Sequence, residues 1–175
     1  MVAMMIYKMF IIGVLSLSIA PAAYANFDNA EKQKTMFDLG YESVYDALKE
    51  SNSYFKREIK LPIQIPPLPF THVLGRFNKN NGSFEIEYLN QNFSPYRITV
   101  FQKKSDIRWN ENNATQTFTL KDGSKGSYFA KKPHMKSRNY FNFEKNGWKY
   151  FISVHPNVSD VVTPELLVEI ANSIN

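Results

Sequence analysis

FNFEKNGWKYFI, residues 141–152, alternates aromatic or aliphatic residues with polar ones on both sides of an Asn-Gly dipeptide. Asn-Gly is the preferred centre of a two-residue type I′ hairpin, because both positions tolerate the left-handed conformation. Setting Lys145 opposite Trp148 places Phe143 against Tyr150, Phe141 against Ile152 and Glu144 against Lys149. One face is then apolar and the other charged, as expected of a half-buried antiparallel sheet. The same logic applied upstream to Asn81-Gly82 sets Asn80 opposite Ser83, and pairs Phe77 with Ile86, Lys79 with Phe84 and Arg76 with Glu87. Two registers that agree with their side-chain patterns argue for an antiparallel sheet.

Further strands are expected at 96–103, 115–121 and 126–131, the last two joined through Asp122-Gly123-Ser124-Lys125. Before them, Phe37, Tyr41, Val44, Tyr45 and Leu48 recur at helical spacing, which predicts an amphipathic helix over 35–51 that ends at Ser51-Asn52-Ser53. The proline-rich KLPIQIPPLPFTH (60–72) follows. Phe55, Arg57, Ile59, Leu61, Ile63 and Ile65 share one parity, so 55–65 reads as an extended segment, and the missing N–H groups of Pro62 and Pro66 suit an edge strand or a loop. A rigid buried connection is favoured over a polyproline ligand, because a single PxxP is a weak compositional signal. Thr163 before Pro164-Glu165 is a helix start, and Leu166, Leu167, Ile170 and Ile174 form the apolar stripe of a helix over 163–174. The expected architecture is α+β: a single antiparallel, curved sheet of about six to eight strands, with an N-terminal and a C-terminal helix packed on one face.

Residues 1–25 read as a secretory signal. A short start with Lys8 precedes an apolar run from Met9 to Ala20 and a small-residue end at Ala23-Tyr24-Ala25, and cleavage is expected after Ala25. The run is shorter than the roughly 20 residues that span a bilayer. Removing 25 of 175 residues leaves 150, the size of one domain, over 26–175. The chain has no cysteine, which excludes disulfides, thiolate metal sites and a lipidated cysteine. The expected location is secreted or extracytoplasmic, with association to the cell wall.

GWKYFISVHPNVSDVVTPELLVEIANSI (147–174) resembles the end of an uncharacterised domain family of secreted and membrane-attached proteins of spore-forming Gram-positive bacteria. The shared motifs are a strand around Gly147-Trp148-Lys149-Tyr150 and a helix ending Leu167-Val168-Glu169-Ile170-Ala171-Asn172-Ser173-Ile174, with a similar upstream step from Leu61-Pro62 to Pro66. The resemblance spans roughly 55–175. Some members form the extracellular part of sigma-factor regulators, and these are compared with half-barrel sheet folds. This chain departs from those regulators in having no cysteine-histidine metal module and no evident internal membrane helix. The resemblance carries over no catalytic residues.

Cysteine nucleophiles are absent, and no G-x-S-x-G, P-loop or H-E-x-x-H motif occurs. His72, His134 and His155 are far apart, so neither a metal nor another cofactor is expected. Glu85 and Glu87 lie on one strand face, roughly 6.5–7 Å apart at Cα, a spacing that glycoside hydrolysis uses. The register pairs them with Asn78 and Arg76, an ordinary solvated face. Asn81-Gly82-Ser83, Asn113-Ala114-Thr115 and Asn157-Val158-Ser159 are glycosylation-type triplets that read as loop composition here.

Charge is uneven within the net +5. Asp28–Glu50 holds six acids and three lysines, a net of −3, whereas Lys121–Lys149 holds eight cations and two acids, a net of +6. Lys121, Lys125, Lys131, Lys132, Lys136 and Arg138, interleaved with Tyr128, Phe129 and Tyr140, are the candidate polyanion-binding residues. For an exported chain the partner is an anionic wall polymer or an envelope protein, not nucleic acid. Phe77, Ile86, Tyr88, Phe141, Phe143, Tyr150 and Ile152 are the candidate lining of an apolar cradle for a lipid, peptide or sugar, if the sheet is left partly uncovered. The leading expectation is a non-enzymatic envelope-binding module, and the alternative is a carrier or sensor of an apolar ligand.

Overall fold

The computed structural model of the protein describes residues 34–90, 94–131 and 138–175. Seven strands form one antiparallel sheet: β1 His72–Asn78, β2 Ser83–Leu89, β3 Tyr96–Gln102, β4 Gln116–Thr119, β5 Lys125–Phe129, β6 Asn139–Lys145 and β7 Trp148–Val154. The spatial order β1-β2-β3-β7-β6-β5-β4 leaves the sheet open, with β1 and β4 at its edges. Helices within the described residues accompany it, among them α1 at Val44–Phe55 and α2 at Pro164–Asn172. The fold is α+β. The predicted signal segment lies outside the described residues.

The Asn146-Gly147 hairpin has the expected register, with Lys145 opposite Trp148 and Phe143 opposite Tyr150. Asn146 and Gly147 both have positive φ, 50° and 73°, which is the type I′ geometry. The Asn81-Gly82 hairpin differs. Phe77 pairs with Phe84, Asn78 with Ser83, Arg76 with Glu85 and Leu74 with Glu87, two residues away from the expected register. Gly82 alone of this dipeptide is left-handed (φ 62°). Local side-chain bonds build a four-residue loop: Asn80 N donates to Asn78 Oδ1 at 3.0 Å, and Ser83 N to Asn81 Oδ1 at 3.1 Å. A slip of two preserves the faces and changes only the partners.

The N-terminal helix also departs from the expectation. Residues 34–38 are helical, that helix ends ahead of Gly40, whose φ is +82°, and α1 starts afresh at the N-cap Ser43. Ser43 Oγ accepts from Asp46 N at 3.1 Å, while its hydroxyl donates to Asp46 Oδ2 at 2.6 Å. Ser51-Asn52-Ser53 does not stop α1. Ser51 Oγ donates to Ala47 O and Asn52 Oδ1 accepts from Ile59 N, so these polar groups find partners inside and just beyond the helix.

Residues 56–71 form no strand. Ile59 is buried and Leu61 half-buried, but Ile63 and Ile65 are exposed. Without a partner strand the alternation lapses, and short bonds from Leu68 N to Pro66 O and from Phe70 N to Leu68 O shape the proline run as tight turns. The run is a folded connection across the apolar sheet face. Trp148 Nε1 donates to Glu58 O at 3.1 Å, Tyr150 OH to Lys60 O at 2.8 Å, and Phe70 meets Tyr88 at 5.1 Å between ring centres.

The same face takes contacts from both helices. An added Cβ on Gly75 would meet Val44 and Ala47 of α1, and Lys145 Nζ donates to Ala171 O of α2 at 3.5 Å. The core between these layers is rich in phenols. Burial raises the pKa of Tyr96 and Tyr150 there and pushes Tyr88 up to about 12, and it also raises that of Tyr41, which is buried on the opposite face with its hydroxyl on Glu85. The folded chain therefore holds these protons more tightly than the unfolded chain, whose phenols titrate near 10. The stability they contribute is complete below pH 10 and is lost as pH rises through the higher folded values. Phenolate absorbance at 295 nm is expected to show these four tyrosines ionising only together with loss of the folded circular dichroism signal. Smooth titration of all ten tyrosines near pH 10 in a folded chain would contradict this packing.

Candidate functional site

Because every strand pair is antiparallel, one end of the sheet gathers the loop at 79–82, the Asn146-Gly147 turn, the exit of β3 and the β4–β5 turn. The C-terminus of α1 reaches the same end, where Phe55 packs on Phe77 at 5.5 Å and on Trp148 at 5.2 Å. This tip end brings two basic doublets together, Lys56-Arg57 after α1 and Lys103-Lys104 after β3. Lys56 is the helix C-cap in the left-handed conformation (φ 51°), which turns the chain so that Arg57 crosses the tip of the second hairpin. Arg57 donates to Asn146 O at 2.6 Å and lies over the Trp148 ring at 5.7 Å. Gly147 makes room for it: an added Cβ would sit 2.5 Å from Arg57 Nη1.

Lys103 N donates to Gly147 O at 3.0 Å, and its Nζ pairs with Glu144 at 2.9 Å. Among the described residues, no carboxylate is paired with Lys56, Arg57 or Lys104. Two concavities adjoin here. One, of about 520 Å³, is bounded by Tyr54, Lys56, Gly82, Gln102 and Lys104. The other, of about 420 Å³, is bounded by Arg57, Gln102, Lys103, Lys104 and Gly147. Neither doublet was singled out from the sequence. A signal existed in the placement of Lys103-Lys104 at the end of an expected strand, but the meeting with Lys56-Arg57 depends on long-range topology.

The cations proposed from the sequence are divided between the two ends. Lys121 and Lys125 are exposed at the tip end, on the β4–β5 hairpin, where Lys121 N donates to Asn172 Oδ1. Lys131 is at the opposite end, six residues or about 20 Å of extended chain beyond Lys125, and Arg138 immediately precedes β6 at that same end, where Lys131 N donates to Asn139 Oδ1. Arg138 is committed to structure, donating to Ser94 O at 2.8 Å and Ser153 O at 3.1 Å. Lys132 and Lys136 lie outside the described residues. The seven apolar residues, Phe77, Ile86, Tyr88, Phe141, Phe143, Tyr150 and Ile152, do share one face, but each is at most 9% exposed. They are the interior of the core beneath α1, α2 and 56–71, not the lining of an open cradle.

Glu85 and Glu87 are not on a solvated face. Glu85 accepts from Arg76 and Tyr41 at 2.9 Å each, and from Ser83 Oγ at 3.3 Å. Glu87 is 1% exposed and is held by Ser94 Oγ and by Arg97 Nε. Burial pushes the Glu87 carboxyl above its ordinary value, against the pull of Arg97 and Arg138. Carboxylates wrapped by donors in this way lock strands together and have no free oxygen aimed at a substrate. His72 lies beside Thr71, and His155 Nδ1 accepts from Asn157 N to cap a short turn, while His134 lies outside the described residues. Burial lowers the pKa of His155, with Arg138 and Lys131 adding to the effect. Among the described residues no cluster of histidine and carboxylate side chains could hold a metal ion.

No family model matches the chain, and no match was found among curated proteins or solved structures. Among the described residues, no helix is long and apolar enough to cross a membrane.

Proposed function

We propose that the chain is an exported, non-enzymatic module of the kind its C-terminal motif resembles, and that the tip end of its sheet binds an anionic polymer of the cell envelope. The observation that carries this reading is the convergence of Lys56, Arg57 and Lys104, without carboxylate partners among the described residues, on adjoining concavities beside Lys103. Lys121 and Lys125 extend the same electrostatic end. Arg57 is held in place before any ligand arrives, which reduces the ordering cost of binding. A basic side chain near an anionic surface contributes about 1 kcal/mol, within a Debye length of about 8 Å at physiological salt. The carrier reading gains nothing from a sheet face whose aromatic rings are buried.

The test is binding to poly(glycerol phosphate), a ring-free polyanion, in low and in high salt. Replacing Lys56, Lys103 and Lys104 with serine is expected to weaken binding about 100-fold, from about 1 kcal/mol for each charge. Serine at Lys131, Lys132 and Lys136 is expected to change it by less than about threefold. The reverse pattern would return the site to the opposite end of the sheet. Salt-resistant capture of a single envelope protein would replace the polymer with a protein partner.

A further inference from the structure

We infer that a third concavity, over Trp109, is a ring-stacking subsite, and that the polymer engaged by the tip end is therefore an anionic glycan. The inference rests on the tip-end reading for the charge of the ligand and on independent geometry for its rings. The concavity measures about 320 Å³ and is bounded by Lys103, Arg108, Trp109, Glu111 and Glu144. That is the lower end of the roughly 300–1,000 Å³ typical of small-molecule sites, a scale suited to one ring. It shares Lys103 with the cationic concavity beside Arg57 and Gly147. A chain lying across both would place a ring at Trp109 and its charged group at Lys103-Lys104.

The loop that carries Trp109 is pinned through its backbone, and the indole itself rests on one aromatic ring. Lys149, only 3% exposed, sends its ammonium to the carbonyls of Ser105 and Ile107 at 2.8 and 2.7 Å. Arg108 donates to Ser105 O at 2.8 Å, which closes the loop on itself. Phe151 meets the indole at 5.3 Å with an interplanar angle of 89°, and is itself held by Phe101 at 5.5 Å. Asn110 then caps the turn Glu111–Asn113 through Asn112 N. An aromatic ring set on such a support, and only half-buried, offers a platform with little left to order.

The choice between ligands turns on more than charge. Glu111 and Glu144 repel phosphate and uronate charges alike, so the ring decides: carboxylates beside Lys103 and Arg108 present the acceptors and donors that sugar hydroxyls require, and a run of phosphates offers neither hydroxyls nor a face to stack. A ring-free polyanion would be confined to the doublets. An anionic glycan would use both regions.

The experiment compares sodium polygalacturonate, inorganic polyphosphate and neutral dextran as probes of the full chain. Trp148 is 1% exposed, so acrylamide quenching of tryptophan fluorescence reports chiefly on Trp109. Polygalacturonate is expected to shield that signal and polyphosphate to leave it unchanged. Trp109→Ala should weaken polygalacturonate binding about tenfold and leave polyphosphate binding within twofold, with Trp109→Phe restoring part of the loss. If Trp109→Ala does not fold, the quenching contrast in the unaltered chain decides. Equal affinity for the two polyanions without shielding overturns the subsite and leaves the tip reading standing. Failure of both polyanions to bind overturns both. Polygalacturonate binding that survives serine at Lys56, Lys103 and Lys104 but not Trp109→Ala supports the subsite and overturns the cationic reading.

Discussion

Gly75→Val is expected to cost about 3 kcal/mol of stability, the upper part of the range for overpacking a core. Strand propensity alone points the other way, because valine is among the best strand residues and glycine among the poorest. Tertiary packing decides the sign. An added Cβ at Gly75 would lie 2.8 Å from the Val44 Cα and 2.9 Å from the Ala47 Cβ, with Ser43 O at 3.2 Å. The nearest of these atoms is helix backbone, which cannot rotate away as a side chain would, so α1 itself must lift from β1. Glu42 also bridges Gly75 by two backbone bonds of 2.8 and 2.9 Å, which ties the strand to the entry of the same helix. The effect should reach the tip, because α1 delivers Lys56 and Arg57. Urea unfolding of Gly75→Val should show a lower midpoint with an unchanged slope, and polyanion binding should weaken even where the variant is fully folded. Gly82→Ala is the control. Nothing lies within 4 Å of its added Cβ, so only the cost of its φ of +62° remains, about 1 kcal/mol. A loss at Gly75 no greater than at Gly82 would show that α1 does not press on β1 as described.

What could be read in advance follows from how local the cause was. Asn146-Gly147 carries its own register, since two left-handed residues in succession leave the flanking strands one way to meet. Asn81-Gly82 has the same letters, but Asn78 and Asn81 bind nearby backbone, and Lys79 is drawn aside to Glu50 at 2.7 Å. Hydrophobic pattern could not detect the resulting slip, because a shift of two returns every side chain to the same face. It did exchange the ion pairs, moving Arg76 from Glu87 to Glu85. The α2 helix was legible because Thr163 and Pro164 mark its start within three residues. The course of 56–71 was not, since its partners Trp148, Tyr150 and Tyr88 lie far along the chain. The basic surface was hidden for a related reason. Counting cations from Lys121 to Lys149 credits Arg138 and Lys149, which the fold spends on carbonyl oxygens, and overlooks two doublets that only strand order brings together.

Glu87→Ala is expected to cost about 3 kcal/mol, the lower end of the range for breaking a buried ion pair from one side, because the carboxylate is buried while the Arg97 left behind is 40% exposed and can be hydrated. Glu87 sits in the middle of β1, β2 and β3, opposite Leu74 on one neighbour and Arg97 on the other. Removing its carboxylate would strand the Arg97 guanidinium and the Ser94 hydroxyl, and would leave Arg138 without the negative charge it faces. Arg138 joins Ser94 to Ser153, so the disturbance would spread from β2 toward β7. Yet the pair itself need not be a net source of stability. Burial raises the Glu87 pKa despite two guanidinium groups, so desolvation outweighs what the partners return at the carboxylate, whereas the more exposed Arg97, against its own burial, is held further toward its charged form by Glu87. Glu87→Leu combined with Arg97→Leu is therefore expected to recover most of the loss, and a double-mutant cycle should give a coupling of more than about 2 kcal/mol. Additive losses would mean that the two side chains act independently. The tip end provides a second readout, because Lys56, Lys103 and Lys104 lie at the far ends of the strands from Ser94. A polyanion affinity that stays constant across folded members of the cycle would show that the ionic lock serves the scaffold, while the chemistry of binding resides at the tip.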